Sequence, residues 1–294
     1  MAPWHFWTGV ALLSWGIWAV LSKVLGDALT AEQSQSISTL GILPILVFLA
    51  FPIFRRGELK MGASRGIALT FVGGVVSCLG NLAYYAALAR GEKVATVVSL
   101  TALYPLTTIL LAVSFLRERL NKIQLTGIGL SFVAIWLFNI QGDGGLFSRT
   151  VAFAIGPILL WGLSGFLQKV ATNLLSTEAA AFVYLGAFVP VAIFLAWRYP
   201  WPETMTPRVW TVVLALGFFL AFGNFALLAA YSQGGKAAIL APLTGLYPVI
   251  SVPLAVLLLG EKIGQREIIG ITAALISVVA LSIESPSPKA ELVT

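Results

Sequence analysis

Along most of this chain, runs of about twenty apolar residues alternate with short charged links. A bilayer core is roughly 30 Å thick, so each run is long enough to cross one as a helix. Lipid offers no hydrogen-bonding partner to a bare backbone, which leaves helices or closed barrels as the spanning elements. Barrel strands read as short alternating segments, and that alternation is missing here. Hydropathy therefore predicts an all-α integral membrane protein with ten spans, near 4–25, 34–54, 66–89, 94–116, 123–140, 151–173, 178–197, 209–231, 236–259 and 266–284. Composition agrees, because 10% of the 294 residues are charged against about a quarter in a soluble domain. The first run has no basic residue before it and contains bulky Trp15 and Trp18, so it reads as a retained span rather than a cleaved signal. The tail 285–294, with its Ser-Pro-Ser-Pro-Lys, reads as polar and disordered.

The polar residues narrow the function classes. One cysteine (Cys78, inside an apolar run) and one histidine (His5, near the N-terminus) cannot build a disulfide framework or a Cys/His metal cluster. No metal or other cofactor is expected. An intramembrane metallopeptidase would need several His and Glu ligands. An aspartyl pair is also lacking, because Asp143 sits in a Gly142-Asp143-Gly144 loop with no intramembrane partner. An enzyme is not expected. The net charge of +6 is spread over span ends, where it orients a membrane protein rather than binding nucleic acid. In the first five spans the N-terminal side carries Arg55, Arg56, Lys60, Arg65, Arg117, Arg119 and Lys122, against Lys23, Arg90, Lys93 and Arg149 opposite. The excess predicts a cytoplasmic N-terminus and, with ten spans, a cytoplasmic C-terminus. The second half has almost no bias of its own.

The sequence also aligns with itself. At an offset of 146, Leu13-Ser14-Trp15-Gly16 meets Leu159-Leu160-Trp161-Gly162, Lys23 meets Lys169 and Pro44 meets Pro190. The offset then becomes 143: Gly80-Asn81 meets Gly223-Asn224, Lys93 meets Lys236, and Leu100-Thr101-Ala102-Leu103-Tyr104-Pro105 meets Leu243-Thr244-Gly245-Leu246-Tyr247-Pro248. Over residues 80–128, 20 of 49 positions are identical to their mates. Shared Asn, Lys, Thr-x-x-Tyr-Pro and Glu in one order mark a duplication. The repeats are predicted as 1–146 and 147–284. Each holds five spans, an odd number, so the second copy enters the membrane upside down. Inverted repeats related by an in-plane pseudo-two-fold axis recur in secondary transporters, with the binding site near the midplane between them. Both repeats lie in one chain, so a monomer suffices in principle.

These residues resemble the EamA branch of the drug/metabolite transporter superfamily over nearly the whole chain. The resemblance is carried by the link Gly91-Glu92-Lys93-Val94-Ala95, the two Leu-Tyr-Pro helices, and the ends Leu116-Arg117-Glu118 and Leu259-Gly260-Glu261. It implies a ten-span carrier in the bacterial inner membrane, exporting amino acids or related metabolites. The tryptophans and tyrosines of the first and third spans resemble the family's aromatic amino acid exporters.

Candidate site residues follow from depth and spacing. Pro105 and Pro248 fall mid-span, where proline removes a backbone hydrogen bond and kinks a helix. Thr101, Tyr104 and Thr108 share one helix face, and Thr244, Tyr247 and Ser251 repeat that stripe. The hydroxyls either line a cavity or bond neighbouring helices; for the tyrosines the cavity is the favoured reading. Asn81 and Asn224 are deep, and Asn81 alone shares its face with Tyr84 and Tyr85. An aromatic subsite is expected near Trp15, Trp18, Tyr84 and Tyr85, with Trp161 the repeat mate of Trp15. Lys23 and Lys169 end their spans, where a lysine snorkels to the headgroups; gating opposite mouths, or contact with a substrate carboxylate, is the alternative. Glu118 and Glu261 read as interfacial ion pairs or as caps of the following helices. Gly73, Gly74, Gly127, Gly129 and Gly162 read as close-packing contacts. No Asp or Glu lies mid-span, so proton antiport through a buried carboxylate is not expected. A small-molecule substrate and the lipid bilayer are the expected partners, and a gated channel or a multidrug efflux carrier is the rival reading.

Overall fold

A computed structural model describes residues 3–57, 64–117, 120–139, 148–171, 174–233, 244–281 and 283, apart from the side chains of Pro3, Asp27, Lys169, Tyr231 and Ser232. The predicted repeat boundary and the C-terminal tail lie outside those residues. Helices occupy most of the described parts of the predicted spans, and no strand occurs among the described residues. In chain order they are α1 (Pro3–Leu25), α2 (Ala31–Arg56), α3 (Ser64–Ala89), α4 (Val94–Thr101), α5 (Tyr104–Leu116), α6 (Lys122–Asn139), α7 (Arg149–Ala171), α8 (Thr177–Gly186), α9 (Phe188–Arg198), α10 (Pro207–Ser232), α11 (Pro248–Leu259) and α12 (Gln265–Leu281).

Among the described residues, eight stretches are long and apolar enough to cross a membrane, and two of these, Val94–Leu116 and Thr177–Arg198, are helix pairs rather than single helices. For the ninth predicted span, 236–243 lies outside the described residues and α11 alone is short; α12 has 17 residues. The fourth span is interrupted just before Tyr104-Pro105. It breaks at Ala102-Leu103, and Pro105 stands in the first turn of α5 just as Pro248 opens α11. The physical reason is that proline has no N–H to bond the preceding turn and its ring crowds that turn's carbonyl, while the missing N–H costs nothing in the first turn of a helix. Both helices end on left-handed residues at equivalent repeat positions, Arg117 (φ 56°) and Gly260 (φ 65°).

The exterior is apolar: Phe51, Phe115, Trp197 and Leu257 are each more than 70% exposed. The interior holds the polar groups instead, and the fully buried polar side chains are all neutral Ser, Thr, Gln or Asn among the described residues.

The main helix contacts come in exchanged pairs, one from each repeat. α1 packs on α10 while α7 packs on α3; α2 packs on α10 while α8 packs on α3; α11 packs on α1 while α5 packs on α7. Individual contacts repeat the exchange. A Cβ on Gly74 would lie 2.3 Å from the Tyr184 carbonyl oxygen, and one on Gly217 would lie 1.7 Å from that of Ser38. Gly16 meets Ile250 as Gly162 meets Thr107. Gly127 abuts Leu281 as Gly270 abuts the Phe138 ring. Small residues admit these close backbone approaches between membrane helices. Gly129, predicted to pack in the same way, has open space around it.

Candidate functional site

The two tryptophans of the repeat cross to opposite repeats. Trp161 of α7 lies over Gly80 and donates its Nε1 to the Ser77 carbonyl (3.3 Å); Trp15 of α1 lies over Gly223 and donates to the Leu220 carbonyl (3.4 Å). Around Trp161 the exchange gathers most of the predicted residues. Trp18 stacks on Tyr84 with ring centres 5.2 Å apart. Trp161 lies 5.9 Å from Trp18, 5.7 Å from Tyr84 and 6.5 Å, edge on, from Tyr104. Trp18 Nε1 donates to the Tyr85 hydroxyl (3.0 Å), and the Tyr84 hydroxyl donates to the Ala19 carbonyl (2.9 Å). The Tyr247 hydroxyl sits within 3.4 Å of Thr101 Oγ1. Helices α1, α3, α5 and α7 therefore meet in one aromatic cluster fed by both repeats, beside the break between α4 and α5.

Trp15 does not join Trp18, Tyr84 and Tyr85 as expected. The exchange carries it onto α10, where the counterparts of the two tyrosines are Leu227 and Leu228. The asparagines are also asymmetric. Asn224 donates to the Leu220 carbonyl of its own helix (2.8 Å). Asn81 accepts the Trp161 indole N–H at Oδ1 (3.0 Å), and its buried Nδ2 has no partner. An orphaned buried donor costs about 1–3 kcal/mol and calls for an explanation at the site itself. Three of the six predicted hydroxyls bond backbone carbonyls, and one of these bonds, that of Thr108, joins two helices. Thr101 donates to the Val98 carbonyl, Thr108 to that of Gly162 (2.8 Å) and Ser251 to that of Tyr247. Thr244 is buried nearby in sequence, at the start of the described part of its span.

One side of the cluster is buried, since Tyr84 has no exposed surface and Tyr85, Trp18 and Asn81 are buried, while Trp161 and Tyr104 are half-buried. Two shallow grooves lie on α2, one lined by Val47, Ala50, Phe51, Phe54 and Arg55, the other by Phe51, Pro52, Arg55 and Arg56. Neither touches the cluster.

On the face opposite the N-terminus, a polar knot around the start of α4 seals the bundle. Glu261 accepts the backbone N–H groups of Val94 (2.7 Å) and Ala95 (3.0 Å). It thus caps a helix of the other repeat rather than the helix that follows it, placing a carboxylate at a helix N-terminus, where the dipole favours negative charge. Lys93 pairs with Glu267 (2.8 Å) and donates to the Lys262 carbonyl (2.8 Å); Thr96 donates to Glu267 (3.1 Å). Glu92 bonds Thr150 and lies 3.7 Å from the Arg149 guanidinium. Lys23 donates to the Leu88 and Glu92 carbonyls (2.9 Å each), so it secures the end of α3 rather than reaching only to headgroups. At the repeat-equivalent positions Glu267 becomes Gln124 and Glu92 becomes Gly235. Glu118 and Lys236 lie outside the described residues, as does the side chain of Lys169.

Sequence reasoning missed Gln35, a fully buried glutamine on α2. The signal was present: Gln33-Ser34-Gln35-Ser36 is a polar run at the start of an apolar span, and its repeat mate is Ala179-Ala180-Ala181-Phe182.

No curated protein matches this chain. A solved crystal structure, titled only as that of a protein, superimposes with a TM-score of 0.62 at 17% identity, covering 95% of this chain and 96% of the other, which shows the shared fold. Residues 2–140 and 148–283 each match the family model of the EamA-like transporters, one match per repeat. The chain thus belongs to the EamA-like transporter family and is a multi-pass membrane transporter of small molecules.

Proposed function

We propose that this protein is a secondary carrier that exports small organic metabolites, amino acids with aromatic side chains first among them, by alternating access around the aromatic cluster. The observation that carries the reading is the meeting of Trp18, Tyr84, Tyr104 and Trp161 from both repeats around the unpartnered Nδ2 of Asn81. Flat ring faces suit an aromatic or apolar solute, since aromatic pairs contribute about 0.5–1.5 kcal/mol beyond area burial. The orphaned amide supplies a donor for an acceptor atom of that solute. The helix break before Tyr104 gives the walls a place to move, and the polar knot holds one face shut while the other opens. The excess of Lys and Arg on the N-terminal side supports cytoplasmic termini for a protein of the inner membrane. One chain holds both repeats, so a monomer is a sufficient unit.

Purified protein in liposomes, offered labelled aromatic amino acids, other amino acids, nucleosides and quaternary ammonium compounds, is expected to take up aromatic amino acids saturably. Saturable uptake of quaternary ammonium compounds in their place would favour the multidrug reading. Entry of every small solute in proportion to its concentration would favour a channel.

A further inference from the structure

The buried glutamine on α2 has no structural employment. Gln35 has no exposed surface, and neither Oε1 nor Nε2 of its side chain has a hydrogen-bond partner. A carboxamide offers two donor hydrogens and an acceptor oxygen, and buried polar groups in folded proteins are almost always paired. The scaffold does not demand an amide at this position either. The repeat mate of Gln35 is Ala181, and α8 packs on α3 as α2 packs on α10. A feature that the pseudo-two-fold frame does without, kept at a cost in stability, is characteristic of function.

Its place connects it to the aromatic cluster. Gln35 lies one helical turn from Ser38 on the same face, the Ser38 hydroxyl donates to the Gln35 carbonyl (3.2 Å), and α2 packs against α3, which carries Tyr85. Tyr85 in turn accepts the indole N–H of Trp18. Ser34, Ser38 and Thr39 extend the buried polar stripe of α2 on either side of Gln35. The stripe runs from the cluster toward the face sealed by the knot, because α2 begins on that side of the bundle. Asn81, the other unpartnered carboxamide, sits on the Trp161 side of the same cluster.

We propose that Gln35 is a substrate-binding residue, whose carboxamide hydrogen-bonds the polar head of a net-neutral solute carrying a donor and an acceptor side by side. The assignment rests on the carrier reading above and extends the site to α2. Net neutrality follows from the interior itself: the fully buried polar side chains are all uncharged among the described residues, and an uncompensated charge in such a setting is costly. An amide answers a zwitterionic amino acid or an uncharged nucleoside base equally, so both are probes.

The test uses the full-length protein with Gln35→Leu, similar in volume and apolar, and Gln35→Met, unbranched like glutamine. Thermal melting without solute and uptake of L-phenylalanine and of uridine into liposomes are measured together. The expected result is melting at or above the wild-type temperature, with uptake of the accepted probe reduced by about tenfold or more, as when a polar site loses its hydrogen-bonding partner. Melting several degrees lower in both variants would make Gln35 structural and overturn the assignment. Unchanged uptake in both, alongside lost uptake in Trp161→Phe, would also overturn it while leaving the aromatic site standing. Wild-type protein that takes up neither probe contradicts the carrier reading for these solutes, and the melting comparison then decides on Gln35 alone.

Discussion

Gly217→Val yields no folded protein, whereas Gly129→Val behaves as wild type, when both are followed by size-exclusion yield and thermal melting in detergent. A Cβ on Gly217 would sit 1.7 Å from the Ser38 carbonyl oxygen and 2.7 Å from its carbon, both backbone atoms. Overpacking costs about 1–3 kcal/mol where side chains can rotate away. Here the obstacle is another helix's main chain, so α2 and α10 must separate along their length. Nothing lies within 4 Å of a Cβ on Gly129, which faces outward from α6. Gly74 is the repeat mate of Gly217 and meets the Tyr184 carbonyl at 2.3 Å, so Gly74→Val is expected to fail in the same way. Folding of Gly217→Val would mean that the exchanged packing of α2 and α10 does not hold.

Trp161→Phe lowers uptake by about tenfold or more, and Trp15→Phe lowers it far less. Both substitutions keep most of the ring and remove one N–H. The Trp161 N–H serves Asn81 Oδ1 as well as the Ser77 carbonyl. Without it the Asn81 amide has both ends unsatisfied inside the cluster, a penalty of about 1–3 kcal/mol, which corresponds to roughly five- to 150-fold. Trp15 donates only to the Leu220 carbonyl, at 3.4 Å, and its neighbours at the tyrosine positions are leucines. The two tryptophans are equivalent in the repeat, so the comparison separates a site from a scaffold. Equal losses would assign both to packing, and uptake measured at matched amounts of folded protein reads the difference.

Much of this was legible in the sequence because periodicity and duplication are properties of the chain itself. Apolar length gave the helices, and the shared Asn, Lys, Thr-x-x-Tyr-Pro and Glu gave the two repeats. What the sequence did not reveal was which repeat each side chain would join. Trp15 neighbours Trp18 in sequence, yet the two-fold exchange sends it to α10 and brings Trp161 to Tyr84 in its place. Glu261 was read as an interfacial ion-pair partner or a cap for its own following helix, but it accepts the first N–H groups of α4, 167 residues away along the chain. Pro105 was read as a kink because hydropathy runs through it without a break, and hydropathy is blind to the backbone turn before it. Gln35 escaped notice because duplication draws attention to what is shared, and its importance lies in what the second repeat lacks.

The most direct measurement is counterflow in liposomes containing only this protein, loaded with an unlabelled solute and exposed to a trace of the same solute labelled, for each class of the panel. A carrier whose site faces one side at a time exchanges the internal load for label, so label from one class rises transiently above its equilibrium level and then decays, and Trp161→Phe abolishes the overshoot. Label that only equilibrates, at a rate indifferent to the internal load, would contradict alternating access and make the protein a pore.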